Sequence, residues 1–546
     1  MSGIGVGAPR LDLASHGLLP PPARPPIPGG PQRVTEVLAR GLARHPERTA
    51  LVGRHARYTW AELDTAADRA AAALAELGVA PGDRVAACLP NDTEIVVAFL
   101  GAMRRGALWV GVNRNLAAPE KLYILNDAGA AVLLAGADVA AEVRELRGEA
   151  PELRHVLSAD PGAPESDWAR ALAASSGPAP AVEVDPFAPA AIAYTSGTTG
   201  FPKGAVHSQH NLLLPGAVSA RRGDAAPDEP LGVVLPLTIL NLMVLGPLVA
   251  WQVGCTCVCM DRIDAVGIAA WVERERIASF AGVPAILHDL LTSPDVDPEQ
   301  LRPLKRPLVG GAECPESFRR LYRERFGREV GIGYGMTEAP TAVTGAEGGA
   351  GRPGLCGKPL PQVEISIRNG KNEPLPAGEV GEICVGPARA GAWAGVYTPM
   401  LGYWNRPEAT RAALAGGVYH SGDLGFLDEE GTLFIRGRTQ DLILRGGANV
   451  YPAEVERVLH TDPRVAACAV LGRRDPRLGE RVAAVVQLAP GARADADELR
   501  ELCIRQLARY KVPELWFFVE ELPRNAMNKV VKPLLRSLVE GDTEAR

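Results

Sequence analysis

Short apolar runs alternate with segments of helical period through roughly the first three-fifths of this 546-residue chain. That alternation constrains the fold more than any other feature. ELDTAADRAAAALAELG has helical apolar spacing and stops at Gly78, after which PGDRVAACLP turns into a short buried strand. EIVVAFLGAMRRG and ALWVGVN repeat the pair, and GCTCVCM, DAVGIAAWVERERI, SFAGV and PAILHDLL resume it. TEVLARGLARHPERTALV near the start also reads as helical. Strands alternating with helices predict a mainly parallel sheet covered on both sides.

The texture changes after about Cys356. VEISIRN, GEICVG, YHSGDLGFLD and GTLFIRG are short, strand-like and divided by turn residues, which predicts a small antiparallel barrel or sandwich over about 355–437. From Leu442 onward AEVERVLHT, VAACAVLGR, ERVAAVVQLA and ADELRELCIRQL predict a small α+β domain over 442–546. The expected fold class is therefore α/β. A large N-terminal domain over 34–437, with mainly parallel sheets, helices and a small β-barrel, precedes a small mobile α+β C-terminal domain. The segment at 438–441, within GRTQDL, is the candidate hinge.

Composition narrows the function classes. The chain is longer than one hydrophobic core usually serves, so two or more domains are expected. A formal net charge of −6 disfavours a nucleic-acid partner held by bulk charge. No run approaches the roughly 18 apolar residues that a membrane helix requires. Residues 1–33 are rich in proline and glycine and lack a basic start followed by an apolar stretch; they read as a flexible leader rather than a secretory signal. Nine scattered cysteines suit a reducing cytoplasm. Cys255, Cys257 and Cys259 alternate with period two beside Val253, which fits a half-buried strand face better than a metal site.

Four segments carry chemistry. YTSGTTGFPKG, residues 194–204, follows an apolar run that ends a strand. Its glycines let backbone N–H groups approach an anion; Thr195, Ser196, Thr198 and Thr199 supply hydroxyls, and Lys203 adds a positive charge. Lys203 is followed by Gly204, where a Walker loop would place the magnesium-binding Ser or Thr, so this is not a kinase or GTPase loop. VGGAECP and GYGMTEAP come next. Glycines beside Tyr334 leave a flat slot for an aromatic ring, and Glu338 offers a hard oxygen ligand for magnesium or is a surface glutamate in a turn. In YHSGDLGFLDEEGTLFIRGRTQDL, Asp423 suits the two hydroxyls of a ribose and Arg438 the same sugar or a phosphate; alone, each reads as a turn aspartate and a solvated arginine. LPRNAMNKVVK places Lys529 near the C-terminus, where lysines are usually exposed and idle.

Taken together and in this order, the four segments resemble those of the adenylate-forming superfamily: acyl- and aryl-CoA synthetases, adenylation domains of peptide synthetases and beetle luciferases. The resemblance runs from about Thr35 to Arg536. It implies an AMP-binding adenylation domain followed by a C-terminal AMP-binding-enzyme domain that rotates between two half-reactions. It implies that Thr195, Ser196, Gly197, Thr198, Thr199, Gly200 and Lys203 hold the phosphates that leave as pyrophosphate. Tyr334, between Gly333 and Gly335, would stack on adenine, with Gly311, Ala312 and Glu313 on its other side. Thr337 would contact the α-phosphate and Glu338 would ligate Mg2+. Asp423 and Arg438 would hold the nucleotide, and Lys529 would reach both the substrate carboxylate and the α-phosphate. Gly446 and Gly447 would lie along the path of coenzyme A. The resemblance is imperfect where Thr238 and Ile239 replace an aromatic residue and histidine, where Gln440 replaces a hinge Asp or Lys, and where Asn528 replaces a glycine.

The acid-pocket segment LPLTILNLMVLGPL carries no charge, which disfavours dicarboxylates and amino acids. Thr238, Ile239, Leu242 and Met243 suit an apolar acyl or aryl group. Asn241 either bonds a ring hydroxyl or satisfies backbone, and Gly310 leaves room for something flat or bulky. The expected activity is an ATP-dependent carboxylic acid–CoA ligase for an aromatic acid of secondary metabolism such as antibiotic biosynthesis, with hydroxybenzoate- or naphthoate-like substrates. A medium- or long-chain fatty acid is the alternative substrate, a free-standing carrier protein the alternative acceptor, and a non-catalytic nucleotide-binding regulator the alternative class. Seventeen residues follow Lys529, too few for a fused carrier domain.

Overall fold

Leu51, Ala86, Val110, Ile192 and Val258 are all 2% exposed or less, the burial expected of strands covered on both faces. In the computed structural model these runs build two seven-stranded sheets. The structure describes residues 11–175, 179–195, 202–310, 316–345, 352, 354–446, 448–524 and 530–541. Two compact units divide the chain. One comprises Met1–Arg352, Cys356–Ile365 and Val385–His420; the other comprises Pro353–Leu355, Ser366–Cys384 and Ser421–Arg546.

The first sheet of the larger unit runs Gly402–Tyr403, Lys203–Ser208, Pro189–Thr195, Leu108–Gly111, Arg84–Cys88, Ala130–Ala135 and His155–Ser158. The last five strands are parallel, and the first two joints are antiparallel. The second sheet runs Gly331–Ile332, Leu308–Val309, Ser279–Gly282, Leu231–Val233, Cys257–Cys259, Thr49–Val52 and Arg57–Thr59, parallel except at its last joint. Helices cover them and start where the sequence caps them. Thr59 and Glu62 exchange bonds in a capping box ahead of Trp60–Glu76, and Asp92 caps Thr93–Arg104.

The smaller unit contains the antiparallel joint that pairs Asp423 through Leu427 with Leu433–Arg438. It also holds the α+β portion expected after Leu442. There Gly479–Leu488 pairs with Val465–Asp475, Ile443–Arg445 and Leu515–Val519, and helices Pro452–Leu459 and Ala496–Gln506 belong to the same portion. Val470, Val482 and Leu499 lie in one core of this portion, and Ala469, Val485 and Phe517 in another.

Three expectations are corrected. TEVLARGLARHPERTALV is not one helix: Val34–Glu36, Ala39–Arg44 and the strand Thr49–Val52 share it, because Pro46 interrupts the ladder. Neither Val253 nor Cys255 lies on the strand of Cys257 and Cys259, and all three cysteines are fully buried rather than on a half-buried face. Val253 ends a helix, and Gly254 (φ 98°) turns the chain before Cys257–Cys259. Residues 11–33 of the expected leader pack onto the larger unit, with Leu18 and Ile27 3% and 1% exposed and the His16 ring stacked on Trp404 at 3.9 Å. Their scattered apolar residues find cover that no periodicity advertises. No described helix is long and apolar enough to cross a membrane.

Candidate active site

Thr195 and Lys203 face each other across an antiparallel joint, so the intervening loop links two neighbouring strands of one sheet. A Walker loop instead runs from a strand into a helix. Gly204 is required by packing: a Cβ there would meet Ile192 Cγ2 at 2.5 Å and Tyr194 Cζ at 3.2 Å. The serine or threonine of a Walker loop has no space at that position. Tyr194 anchors the strand end by donating to Asp127 Oδ2 at 2.8 Å, and Asp127 also pairs with Arg406 at 2.8 Å. Ser196, Gly197, Thr198, Thr199 and Gly200 lie outside the described residues.

A second hairpin, Gly335–Met336 with Thr341–Ala342, places Thr337 and Glu338 in its turn. Tyr334, 8% exposed, leads into it; its backbone N–H donates to Thr344 Oγ1 at 3.1 Å and its carbonyl accepts from Val343 at 2.8 Å. Gly333 packs closely, since a Cβ there would lie 3.2 Å from the Thr344 carbonyl, whereas a Cβ at Gly310 would meet nothing within 4 Å among the described residues. Gly335 is exposed. Gly311, Ala312 and Glu313 lie outside the described residues.

Two side chains tie this hairpin to the Lys203 strand, and neither was singled out by the motifs. His207 Nε2 donates to the Thr337 carbonyl at 2.7 Å, so Nε2 carries the proton. Burial pushes this imidazole down to about 4, against a smaller opposing effect of that hydrogen bond, and the ring is neutral at pH 7. Tyr403 donates to Glu338 Oε1 at 3.0 Å, and Lys203 Nζ lies 5.5 Å from the centre of its ring. Tyr419 stands close to the Tyr403 hydroxyl. Burial first, then the Glu338 charge, pushes both phenols well above the ordinary tyrosine range, so both remain donors. Tyr403 lies 65 positions from Glu338, and no spacing rule would have joined them.

The segment expected to line the acid pocket is more ordered than its sequence advertised. Leu240–Met243, Val244–Leu248 and Val249–Val253 follow one another without a break, and the middle five residues form a π-turn around Pro247. Thr238, Leu242 and Met243 are buried; Ile239 and Asn241 are half-buried. Thr238 Oγ1 is buried without a partner among the described residues. The approach to the segment is clamped by Asn91, another residue the sequence reading passed over. Its Nδ2 donates to the Leu235 carbonyl at 2.9 Å and its Oδ1 accepts from Leu237 N at 2.8 Å.

The smaller unit carries its own pair. Asp423 lies opposite Arg438 in its antiparallel joint, and their side chains meet at 3.1 Å. Gly422 adopts φ 71°, a left-handed conformation suited to glycine, and its N–H donates to Glu382 Oε1 at 3.0 Å. Thr439–Asp441 forms one 3₁₀ turn with Gln440 exposed, and Gly446 (φ 57°) turns the chain after Ile443–Arg445. Gly447, Asn528 and Lys529 lie outside the described residues. The structure thus brings Lys203, Tyr334, Thr337 and Glu338 into one neighbourhood of the larger unit, with Asp423 and Arg438 as a separate pair.

Comparison with known proteins agrees with this geometry. Residues 38–404 match the AMP-binding enzyme family, and residues 454–529 match the AMP-binding enzyme C-terminal domain. A long-chain-fatty-acid–CoA ligase, FadD13, of Mycobacterium tuberculosis is 34% identical over 88% of this chain and 93% of its own length. A feruloyl-CoA synthase of an Amycolatopsis species is 35% identical over 91% and 99%. The crystal structure of the anthranilate CoA ligase AuaEII in complex with anthranoyl-AMP superposes with a TM-score of 0.82 at 26% identity, covering 93% of this chain and 97% of that one. The chain belongs to the AMP-binding enzyme family, in the acyl- and aryl-CoA ligase branch of the adenylate-forming superfamily.

Proposed function

We propose that this AMP-forming CoA ligase activates an aromatic carboxylic acid. The observation that carries the reading is an uncharged segment, Leu242, Met243 and half-buried Ile239, together with a Gly310 whose Cβ would meet nothing within 4 Å among the described residues. Such a segment rejects a second carboxylate, which would be buried without a counter-ion. The similarity to a feruloyl-CoA synthase and to an anthranilate CoA ligase supports a ring-bearing acid. The similarity to FadD13 favours a second reading, a medium- or long-chain fatty acid.

In this account the carboxylate attacks the α-phosphorus of ATP. One P–O bond forms, pyrophosphate leaves, and the mixed anhydride is an acyl-adenylate. The thiol of CoA then attacks the acyl carbon and AMP leaves. Two anions must meet in the first step, so the protein's task is to hold them in line and neutralise charge. Lys203, beside the loop, faces the departing phosphates. Tyr334 supports the adenine ring, the 337 turn addresses the α-phosphate, and Asp423 takes the ribose hydroxyls. Lys529 bridges carboxylate and α-phosphate. Glu338 fits magnesium by its donor chemistry: a hard, half-buried carboxylate on a turn close to the Lys203 strand, as a metal that takes one or two carboxylates plus phosphate oxygens requires. When bound, magnesium supplies charge neutralisation of the phosphates.

One screen tests the substrate. Hydroxybenzoates, cinnamates, naphthoates and C8–C16 fatty acids are offered with ATP and CoA, and AMP release is followed. The reading expects kcat/KM for the best aromatic acid to exceed that for the best fatty acid by about tenfold or more. A reversed ranking selects the fatty-acid reading, and thioester formation only on an added carrier protein replaces CoA as acceptor.

A further inference from the structure

We infer that Tyr403 is a positioning residue that fixes the Glu338 carboxylate through one oxygen and directs the other toward the metal. The inference rests on the reading of Glu338 as the magnesium ligand.

The local backbone is built to put Tyr403 in this place. Gly402 has φ 136°, and a Cβ there would lie 2.5 Å from Thr410 Cγ2, so glycine is needed immediately before the tyrosine. Thr410 Oγ1 accepts from Tyr403 N at 2.9 Å, and Tyr403 pairs with Ala205 on the strand that begins at Lys203. Three residues earlier, Met400 N donates to the Glu338 carbonyl at 3.2 Å. The segment is thus bonded to the Glu338 turn on one side and the Lys203 strand on the other.

The side chain spans the same interval. Its hydroxyl donates to Glu338 Oε1, and its ring face lies under Lys203 Nζ. The Tyr403 proton is thereby directed at Glu338, with Tyr419 standing beside the Tyr403 hydroxyl. A phenol with that proton committed to one carboxylate oxygen restricts the orientations open to the glutamate. A hydrogen bond to a charged acceptor is among the stronger ones a protein makes. Its loss removes one constraint on the carboxylate, and the cost falls on metal-dependent nucleotide binding rather than on nucleotide binding as such.

The test is calorimetric titration of ATP into the purified full-length protein, with saturating Mg2+ and again with EDTA. Thermal midpoints show that each variant is folded. Tyr403→Phe keeps the ring under Lys203 and removes only the hydroxyl. It is expected to weaken ATP binding roughly 10- to 100-fold with Mg2+ and to leave binding in EDTA unchanged. The Mg2+ concentration for half-maximal ATP–pyrophosphate exchange should rise by a similar factor, with the rate at saturating Mg2+ nearly restored. Tyr419→Phe, which leaves Tyr403 intact, should shift the same quantities by about a third as much on a logarithmic scale and carries the test if Tyr403→Phe does not fold. Glu338→Gln separates the two readings. If it does not abolish the gain in affinity on adding Mg2+, the magnesium reading fails. If Glu338→Gln abolishes that gain while Tyr403→Phe leaves it intact, or weakens binding equally with and without Mg2+, the role of Tyr403 is overturned.

Discussion

Asp423 and Arg438 face each other across one antiparallel joint, with Arg438 Nε 3.1 Å from Asp423 Oδ1. The aspartate side chain is 12% exposed and the arginine 58%, so a largely buried carboxylate meets a largely solvated cation. A pair this exposed contributes little to stability, about 0–1 kcal/mol. Asp423→Asn should therefore leave the thermal midpoint nearly unchanged while raising KM for ATP about 10- to 100-fold, because the charged acceptor proposed for two ribose hydroxyls is lost. Arg438→Ala should raise it less. Steady-state kinetics beside a thermal melt checks this; a large fall in the midpoint with unchanged KM would assign the pair to folding.

The Lys203 loop makes a sharper demand on its neighbour. Gly204→Ser would recreate a Lys-Ser sequence, yet its Cβ would enter the space of Ile192 and Tyr194. Overpacking of this kind costs about 1–3 kcal/mol. Urea unfolding should show that loss, and pyrophosphate exchange should fall with it. A serine tolerated there without loss of stability would remove the packing explanation for the glycine.

His207 makes one part of the stability depend on pH. Its folded-state value lies near 4, below the ordinary 6.5 it regains on unfolding, so between these limits the unfolded chain binds more protons. Stability from this group is fully present above about 6.5 and is lost as pH falls toward 4, by roughly 3 kcal/mol at most. His207→Gln keeps a donor for the Thr337 carbonyl and removes the titration. Its unfolding free energy should fall less steeply over that window than that of the parent. Identical slopes would show that other groups govern the acid response.

Asn91 holds the approach to the proposed acid-pocket segment by bonding the backbone on both sides of Pro236. Asn91→Ala leaves Leu237 N–H buried and unpaired, which should cost about 1–3 kcal/mol in urea unfolding. It should also raise KM for the acid more than KM for ATP. Equal effects on both would mean that the clamp does not address the pocket.

The parallel sheets were legible because buried strands and amphipathic helices advertise themselves by period, and the order of motifs identified the superfamily. What escaped was contact across long separations. His207 meets Thr337, and Tyr403 meets Glu338, through sheet order and not through spacing. The packing of Leu18 and Ile27 escaped for a different reason: isolated apolar residues among prolines carry no period. The π-turn at 244–248 was hidden because Gly246 and Pro247 read as helix breakers. There, a Cβ on Gly246 would lie 2.3 Å from Val233 Cγ2, which accounts for the glycine by close packing.

The central claim is that one chain divides an acyl transfer into adenylation and thioester formation, with Lys529 serving the first. The most direct measurement is Lys529→Ala assayed in both half-reactions: ATP–pyrophosphate exchange, and thioester formation from supplied acyl-adenylate and CoA. By comparison with loss of a single oxyanion donor, exchange should fall about 10²–10³-fold or more while the thioester step is retained. Equal loss in both half-reactions would contradict the account.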